Sequence, residues 1–547
     1  MPSTEYLPAV TPDAWSLRSQ HPSRQRSGAG DGARCARREI AVFKLIIGFW
    51  LVVALGENAL AHQRDEKDAT MTAKSEGVSA EVTHDVAGKT ISQSNTATGG
   101  KVITYPAPAE ARLSDHYKVS VNGLPLPVYA MDTDTRDGKY YFTSFDFSGR
   151  ATVTVVSKRS LRNTVIRPTS YDVDCEFKEE TFILHLDRPR NISVEPDGAN
   201  SALLIFANSL ETDVPDKDQS GVVYFGPGFH DAGRIDLTDG QMLYLAGGAV
   251  VKGAVYVKGT NVSVRGRGML YGGDYPKAQG PLGCMFHIQD SADVTVRDII
   301  LCDSWHWTLV PSNSDRVTIK NVKICNSRFY NEDGIDLVNC RDVLIRDCFI
   351  RTKDDCIAVK GHDRSLTCER IRVEDCVLWT DGANIFRIGY ESEAAGVMAN
   401  DLEVRNIDVI HVAAEHRPVT DYWSHSVWCI QPCDNTPMGG MLFERVRIHL
   451  DTGPHNLIKI MPMVRQGWGW KGTEPGQYVR NVVFRNIEVT GTGKDPEAPV
   501  IFISGVDESH NVREIHFENC SIYGRPLTRD HLNIGPFTGN VTVTADK

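Results

Sequence analysis

Several things are missing from this 547-residue chain, and each absence closes off a class of function. There is no basic stripe, and 59 Lys and Arg stand against 70 Asp and Glu, a net charge of −11, so a nucleic-acid partner is not expected. No Gly-rich phosphate loop, dinucleotide fingerprint or G-x-S-x-G elbow occurs, so no nucleotide or flavin cofactor is expected. His306, His425 and His455 lack metal-ligand spacing, so no metal is assigned to them. Glycine (46) and proline (26) are at ordinary levels, which rules out collagen-like and low-complexity chains. Beyond the leader, no apolar run approaches the 18 residues of a membrane span, and from about residue 262 no long stretch shows helical periodicity.

The leader itself has a 12-residue apolar run at 45–56, preceded by Arg34, Arg37, Arg38 and Lys44 and followed by Ala59-Leu60-Ala61. That pattern predicts a signal segment over 1–61, cleavage after Ala61, and a secreted or periplasmic protein with no membrane span in its mature form. The alternative is an uncleaved anchor. The rest reads as a linker over 62–75, an N-terminal domain over 76–190 and a larger domain over 191–547.

Residues 76–190 hold short alternating strands broken by turns such as Asn122-Gly123, which predicts an antiparallel β-sandwich. Further on, one phrase recurs: DVTVRDIIL at 293–301, RVTIKNVKI at 316–324, DVLIRDCFI at 342–350 and five later variants. Its anchors are Val296, Ile319, Ile345, Val373, Val404, Phe443, Phe484 and Phe517, spaced by 23, 26, 28, 31, 39, 41 and 33 residues. A minimum period near 23 with tolerated insertions is the mark of stacked coils. Two short strands joined at a tight corner fit a right-handed parallel β-helix, with 202–260 read as its first coils. Two residues past the anchors come Asp298, Asn321, Asp347, Asp375, Asn406, Arg445, Asn486 and Asn519. Asp and Asn tolerate the left-handed conformation, so they suit a stacked corner. One position further, Cys348, Cys376 and Cys520 share a slot with Ile and Val, which predicts buried thiols. Cys429 and Cys433 are close enough for a local disulfide.

Two coils carry clustered acids, Asn331-Glu332-Asp333-Gly334-Ile335-Asp336 and Asp354-Asp355-Cys356-Ile357-Ala358-Val359-Lys360-Gly361. Aligning the repeats puts Asp333 over Asp355 and Asp336 over Ala358. Strands about 4.8 Å apart then crowd Asp333, Asp354 and Asp355 into one patch. Such crowding raises at least one pKa, and glycoside hydrolysis uses that arrangement: one protonated acid and one or two carboxylates. A Ca²⁺ site or solvated loop acids are the other readings. Lys360 and Arg387 lie near the acids, either to bind a sugar carboxylate or sulfate or to pair with the aspartates. Trp305, Trp307, Trp468 and Trp470 are sugar-stacking or packing residues.

N-E-D-G-I-D followed by D-D-C-I-A-V-K-G resembles glycoside hydrolase family 28, the polygalacturonase family, and Ile388-Gly389-Tyr390-Glu391 resembles a further segment of it. The resemblance implies an inverting hydrolase on a β-helix, with Asp354 as general acid and Asp333 and Asp355 activating water. The family's Gly-His-Gly stands here as Gly382-Ala383-Asn384, and its Arg-Ile-Lys as Leu457-Ile458-Lys459. By this correspondence Asn384 and Lys459 are substrate-binding candidates. The sandwich-then-helix order is similar to family 49, the dextranases of the same clan. The leading reading is thus an exported hydrolase of a polysaccharide or oligosaccharide. The rivals are a Ca²⁺-dependent lyase with a Lys or Arg base, and a non-catalytic carbohydrate-binding β-helix.

Overall fold

The computed structural model describes residues 79–84, 90–95, 100–135, 138–178, 181–467, 470–491 and 498–545. The leader and the linker lie outside the described residues.

The sandwich has two sheets. One runs in the order Ser79–His84, Thr90–Asn95, Lys101–Thr104, Lys139–Ser148, Leu203–Ser209, Arg190–Ala199 and Val165–Arg167, with Tyr129–Asp132 also paired to Lys139–Ser148. The other runs Asp174–Lys178, Thr181–Leu186, Ala151–Ser157, Tyr117–Val121 and Leu124–Leu126. Asn122 (φ 47°) and Gly123 (φ 80°) make the tight turn of the last pair. Between the sheets, Val119, Phe145, Phe147, Val153, Leu184 and Ile205 form the core.

One boundary is corrected. The β-helix was expected from 191, with 202–210 in its first coil, yet Arg190–Ala199 and Leu203–Ser209 belong to the sandwich. The first coil strand is Val222–Phe225. Leu203–Ser209 is buried on both faces: Leu203, Ile205 and Ala207 enter the sandwich core, and Leu204 and Phe206 face the helix. A strand covered on both sides loses its alternation and reads like a coil strand.

From there the chain winds as a right-handed parallel β-helix with three strands to a typical coil. The eight anchors stack in register from Val296 to Phe517, each paired with the next. Interior Phe443, Phe484 and Phe517 stack with centroids 5.1 and 5.2 Å apart. All eight corner residues adopt positive φ, from 51° to 71°. Three amide bonds tie corners of adjacent coils: Asn321 to Asp298 (2.7 Å), Asn406 to Asp375 (2.6 Å) and Asn519 to Asn486 (2.8 Å).

The face built from Ile300–Cys302, Lys323–Cys325, Phe349–Thr352 and Val377–Thr380 lies under the sandwich. Phe349, Val377, Trp379 and Ile410 pack there against Tyr140, Phe142, Leu204 and Phe206. A buried charge cluster closes the same interface. Glu195 of the sandwich, itself paired with Arg167, meets His411, which also bonds Asp451.

Cys348 and Cys376 are buried and Cys520 is half-buried, all free. Cys429 and Cys433 are also free thiols. Cys429 Sγ donates to Gln431 Oε1 (3.0 Å), so the local disulfide is not formed.

Candidate active site

The site is built where the chain crosses into Ile335–Val338 and Ile357–His362. Ile335 pairs with Ile357 and Asp336 with Ala358, the alignment expected from the repeats. Just before them, Gly334 N donates to Asp355 O at 2.8 Å, and Thr308 N to Asp333 O at 3.0 Å. A Cβ on Gly334 would come within 2.4 Å of the Cys356 carbonyl oxygen, so the acid-bearing turn admits only glycine at this point.

Asp333, Asp354 and Asp355 each present a carboxylate oxygen within 4.8 Å of the others. Their supports differ. Asp354 Oδ2 accepts the Asn331 N–H (2.8 Å) and Oδ1 the Asp355 N–H (3.0 Å), while its carbonyl takes the hydroxyls of Thr352 and Thr380. Asp355 Oδ1 accepts the backbone N–H (3.0 Å) and side-chain amide (2.6 Å) of Asn384, whose own Oδ1 accepts Ser426 N–H. Asp333 Oδ2 takes the Lys360 ammonium at 3.1 Å, and its buried Oδ1 has no hydrogen-bond partner.

Asp333 is 3% exposed and Asp355 8%; Asp354 is half-buried. Burial, with Asp336 and Asp355 adding, holds the Asp333 carboxyl well above its usual range. Burial, then Asp333 and Asp355, does the same for Asp354. Two acids that prefer to stay protonated beside a third held by two N–H groups give the site a proton to donate and a carboxylate to receive one.

Lys360 is the counter-charge. Its Nζ lies 2.7 Å from Asp336 and stands 3.6 Å from the centroid of the Trp307 ring. Burial opposes its charge, but Asp333, Asp336 and Glu391 hold it well above the ordinary lysine value. Burial pushes Asp336 up to about 6. Against its own burial, Lys360 and His362 draw Glu391 down to about 2. The three catalytic-type oxygens have the donor chemistry of a cation site, with the Lys360 ammonium already supplying positive charge to Asp333.

The sequence-predicted ligands fare unevenly. Trp307 is half-buried beside the acids, and Arg387 lies one coil on, paired with Ala358 and donating to Cys429 Sγ at 3.2 Å. Asn384 is buried and spends its amide on Asp355, so it positions an acid rather than facing a sugar. Lys459 is corrected: it is fully buried, donating to Asp421 O (2.6 Å) and Ser424 Oγ (3.0 Å), because residues 413–427 fold over it. Trp305 is core, with Nε1 donating to Leu282 O at 2.9 Å. Trp468 and the Trp470 side chain lie outside the described residues. Glu391 stood in the quoted segment without a role, and nothing in the sequence singled out His362.

Residues 279–378 match the model of glycosyl hydrolases family 28. That stretch carries all three acids, so the resemblance rests on the residues first quoted for it. The chain is 32% identical over 112 residues to a protein of Vitis vinifera described as a probable polygalacturonase, covering 20% of this chain and 22% of the relative. It is 24% identical over 172 residues to a protein of Aspergillus oryzae described as a probable rhamnogalacturonase E, covering 31% and 36%. The chain thus spans little more than a third of these relatives at most. The solved structure of Dex49A from Penicillium minioluteum shares the fold, with a TM-score of 0.60 at 15% identity over 80% of this chain and 96% of that one.

Proposed function

We propose that this chain is an exported glycoside hydrolase that cleaves a polysaccharide or oligosaccharide with Asp354 as general acid and Asp333 and Asp355 activating water. The observation that carries the reading is the triple carboxylate within 4.8 Å, two of its members held protonated-side by burial and by each other. Asp354 delivers its proton to the departing oxygen. Asp355, fixed by Asn384, takes the proton of the attacking water, and Asp333, paired with Lys360, holds that water in place. A lyase would need a basic group free to abstract a proton, whereas Lys360 is engaged by Asp333 and Asp336.

Inversion is supported by the order and spacing of the acid motifs. The opposing outcome is retention, in which one aspartate attacks the sugar directly. Proton NMR of the first-formed anomer separates the two, and retention rules out the inverting mechanism. Asp354→Asn should lower turnover roughly 10²–10⁴-fold while leaving the fold intact, because it also relieves like-charge crowding. Near-wild-type turnover removes Asp354 from its role. Polygalacturonan, rhamnogalacturonan and dextran are the substrates to try first. Export rests on the apolar run at 45–56 and on Ala59-Leu60-Ala61; N-terminal sequencing of the exported protein should begin at His62, and a start before Ala61 refutes it.

A further inference from the structure

Tyr330 directly precedes Asn331, whose backbone N–H holds the Asp354 carboxylate at 2.8 Å. The residue is 49% exposed. The ring is nonetheless fixed. Lys353 Nζ stands 5.2 Å from its centroid. The ring edge lies along the backbone of Gly382, where an added Cβ would sit 3.2 Å from Tyr330 Cε1 and 2.6 Å from the Lys353 carbonyl oxygen. Gly382 thus leaves the space that both residues occupy, at the very segment where the family's histidine-bearing motif is replaced.

Lys353 is fixed in turn. Its ammonium pairs with Asp134 at 2.7 Å and donates to Asp381 O at 3.1 Å. Asp134 belongs to the sandwich, and its N–H donates to Ser327 O at 2.8 Å, four residues before Asn331. A line of contacts therefore runs from the sandwich through Lys353 to the Tyr330 ring. Its last two members border the acid in the chain: Lys353 precedes Asp354, and Tyr330 precedes Asn331, which holds it.

An exposed aromatic ring one residue from the amide that holds the proton donor suits the C–H face of a pyranose ring, and a ring contacted before binding loses less entropy on contact. We infer that Tyr330 is the stacking platform of a subsite for the pyranose that departs with the Asp354 proton, pre-set by Lys353 and by Asp134 of the sandwich. The inference rests on the glycoside hydrolase reading.

Tyr330→Ala and Tyr330→Trp are compared with wild type on oligogalacturonides, rhamnogalacturonan oligosaccharides and isomalto-oligosaccharides. On whichever is cleaved, Tyr330→Ala should raise KM on the order of tenfold with kcat nearly unchanged, and Tyr330→Trp should keep KM close to wild type. Asp134→Ala, which frees Lys353, should raise KM in the same direction by less. An unchanged KM in a folded Tyr330→Ala protein overturns the inference alone, as does an equal loss in the Ala and Trp variants. Should Tyr330→Ala fail to fold, Tyr330→Leu carries the same comparison, and an unchanged KM there also overturns it. Failure of wild type to cleave any of the three probes overturns the hydrolase reading, and the subsite with it.

Discussion

Lys360→Met isolates the contribution of one buried cation. The methionine fills most of the lysine's volume and keeps contact with Trp307, but it leaves Asp333 and Asp336 buried without the ammonium now 3.1 and 2.7 Å away. Breaking a buried ion pair by removing one partner costs roughly 3–5 kcal/mol, because an uncompensated charge stays behind. The pH dependence follows from which groups titrate. The Lys360 pKa is raised, so in wild type its contribution is present throughout the range below the ordinary lysine value and is lost only as pH rises past the folded one. In the variant the titrating groups are the two aspartates, whose raised values climb further once the cation is gone. Asp336 takes up its proton near pH 6 even in wild type. Below that pH the variant no longer buries a bare charge, and its deficit shrinks. Urea unfolding of both proteins at pH 7.5 and at pH 5 measures this. Lys360→Met/Asp336→Asn, which removes one of the two stranded carboxylates, should recover about half of the loss at pH 7.5. A deficit under about 1 kcal/mol at pH 7.5, or one that is the same at both pH values, refutes the reasoning.

Two other outcomes are expected. Thiol titration of denatured, unreduced protein should find all twelve cysteines from Cys175 to Cys520 free, including Cys429 and Cys433, and any protected pair contradicts the structure. Against its burial, Asp451 and Glu195 hold His411 up to about 9, so its contribution to stability should be full below about pH 6.5 and fade as pH rises through about 9; His411→Gln should flatten the stability profile across that window, and an unaltered slope refutes the assignment.

The helix was legible because its repeat lays identical chemistry on itself. Val296 through Phe517 are interior in every coil, and the corner after them must take positive φ, so Asp and Asn recur visibly. A second corner three residues before each anchor also takes positive φ, at Asp293, Arg316, Asp342, Arg370, Asp401, Gly440, Asn481 and Glu514. It escaped notice because its residues vary in type and sign, four of them joined in the ion pairs Arg316 to Asp293 (2.7 Å) and Arg370 to Asp342 (2.7 Å). The acid triad was readable from register alone. Lys360 could not be assigned between sugar and aspartate, since its partners lie on the preceding coil two to five positions off its own register. Trp305 and Trp307 differ in fate although two apart, because residues 303–308 bend between strands and strand parity does not hold there. Lys459 was misplaced for a similar reason: the segment that covers it, 413–427, has no repeat phrase to announce where it folds.

The layer between sandwich and helix bears on how such a protein can be dissected or inherited. Phe349, Trp379 and Ile410 point away from the helix interior, into Tyr140, Phe142 and Phe206. Deleting the sandwich would turn that face into a contiguous wet apolar surface, the kind that drives self-association. It would also strand His411 and Asp451 opposite nothing. The coils carrying the acids are thus poor candidates for a stand-alone fragment, and swapping sandwiches between related proteins would require recutting both sides of this seam together.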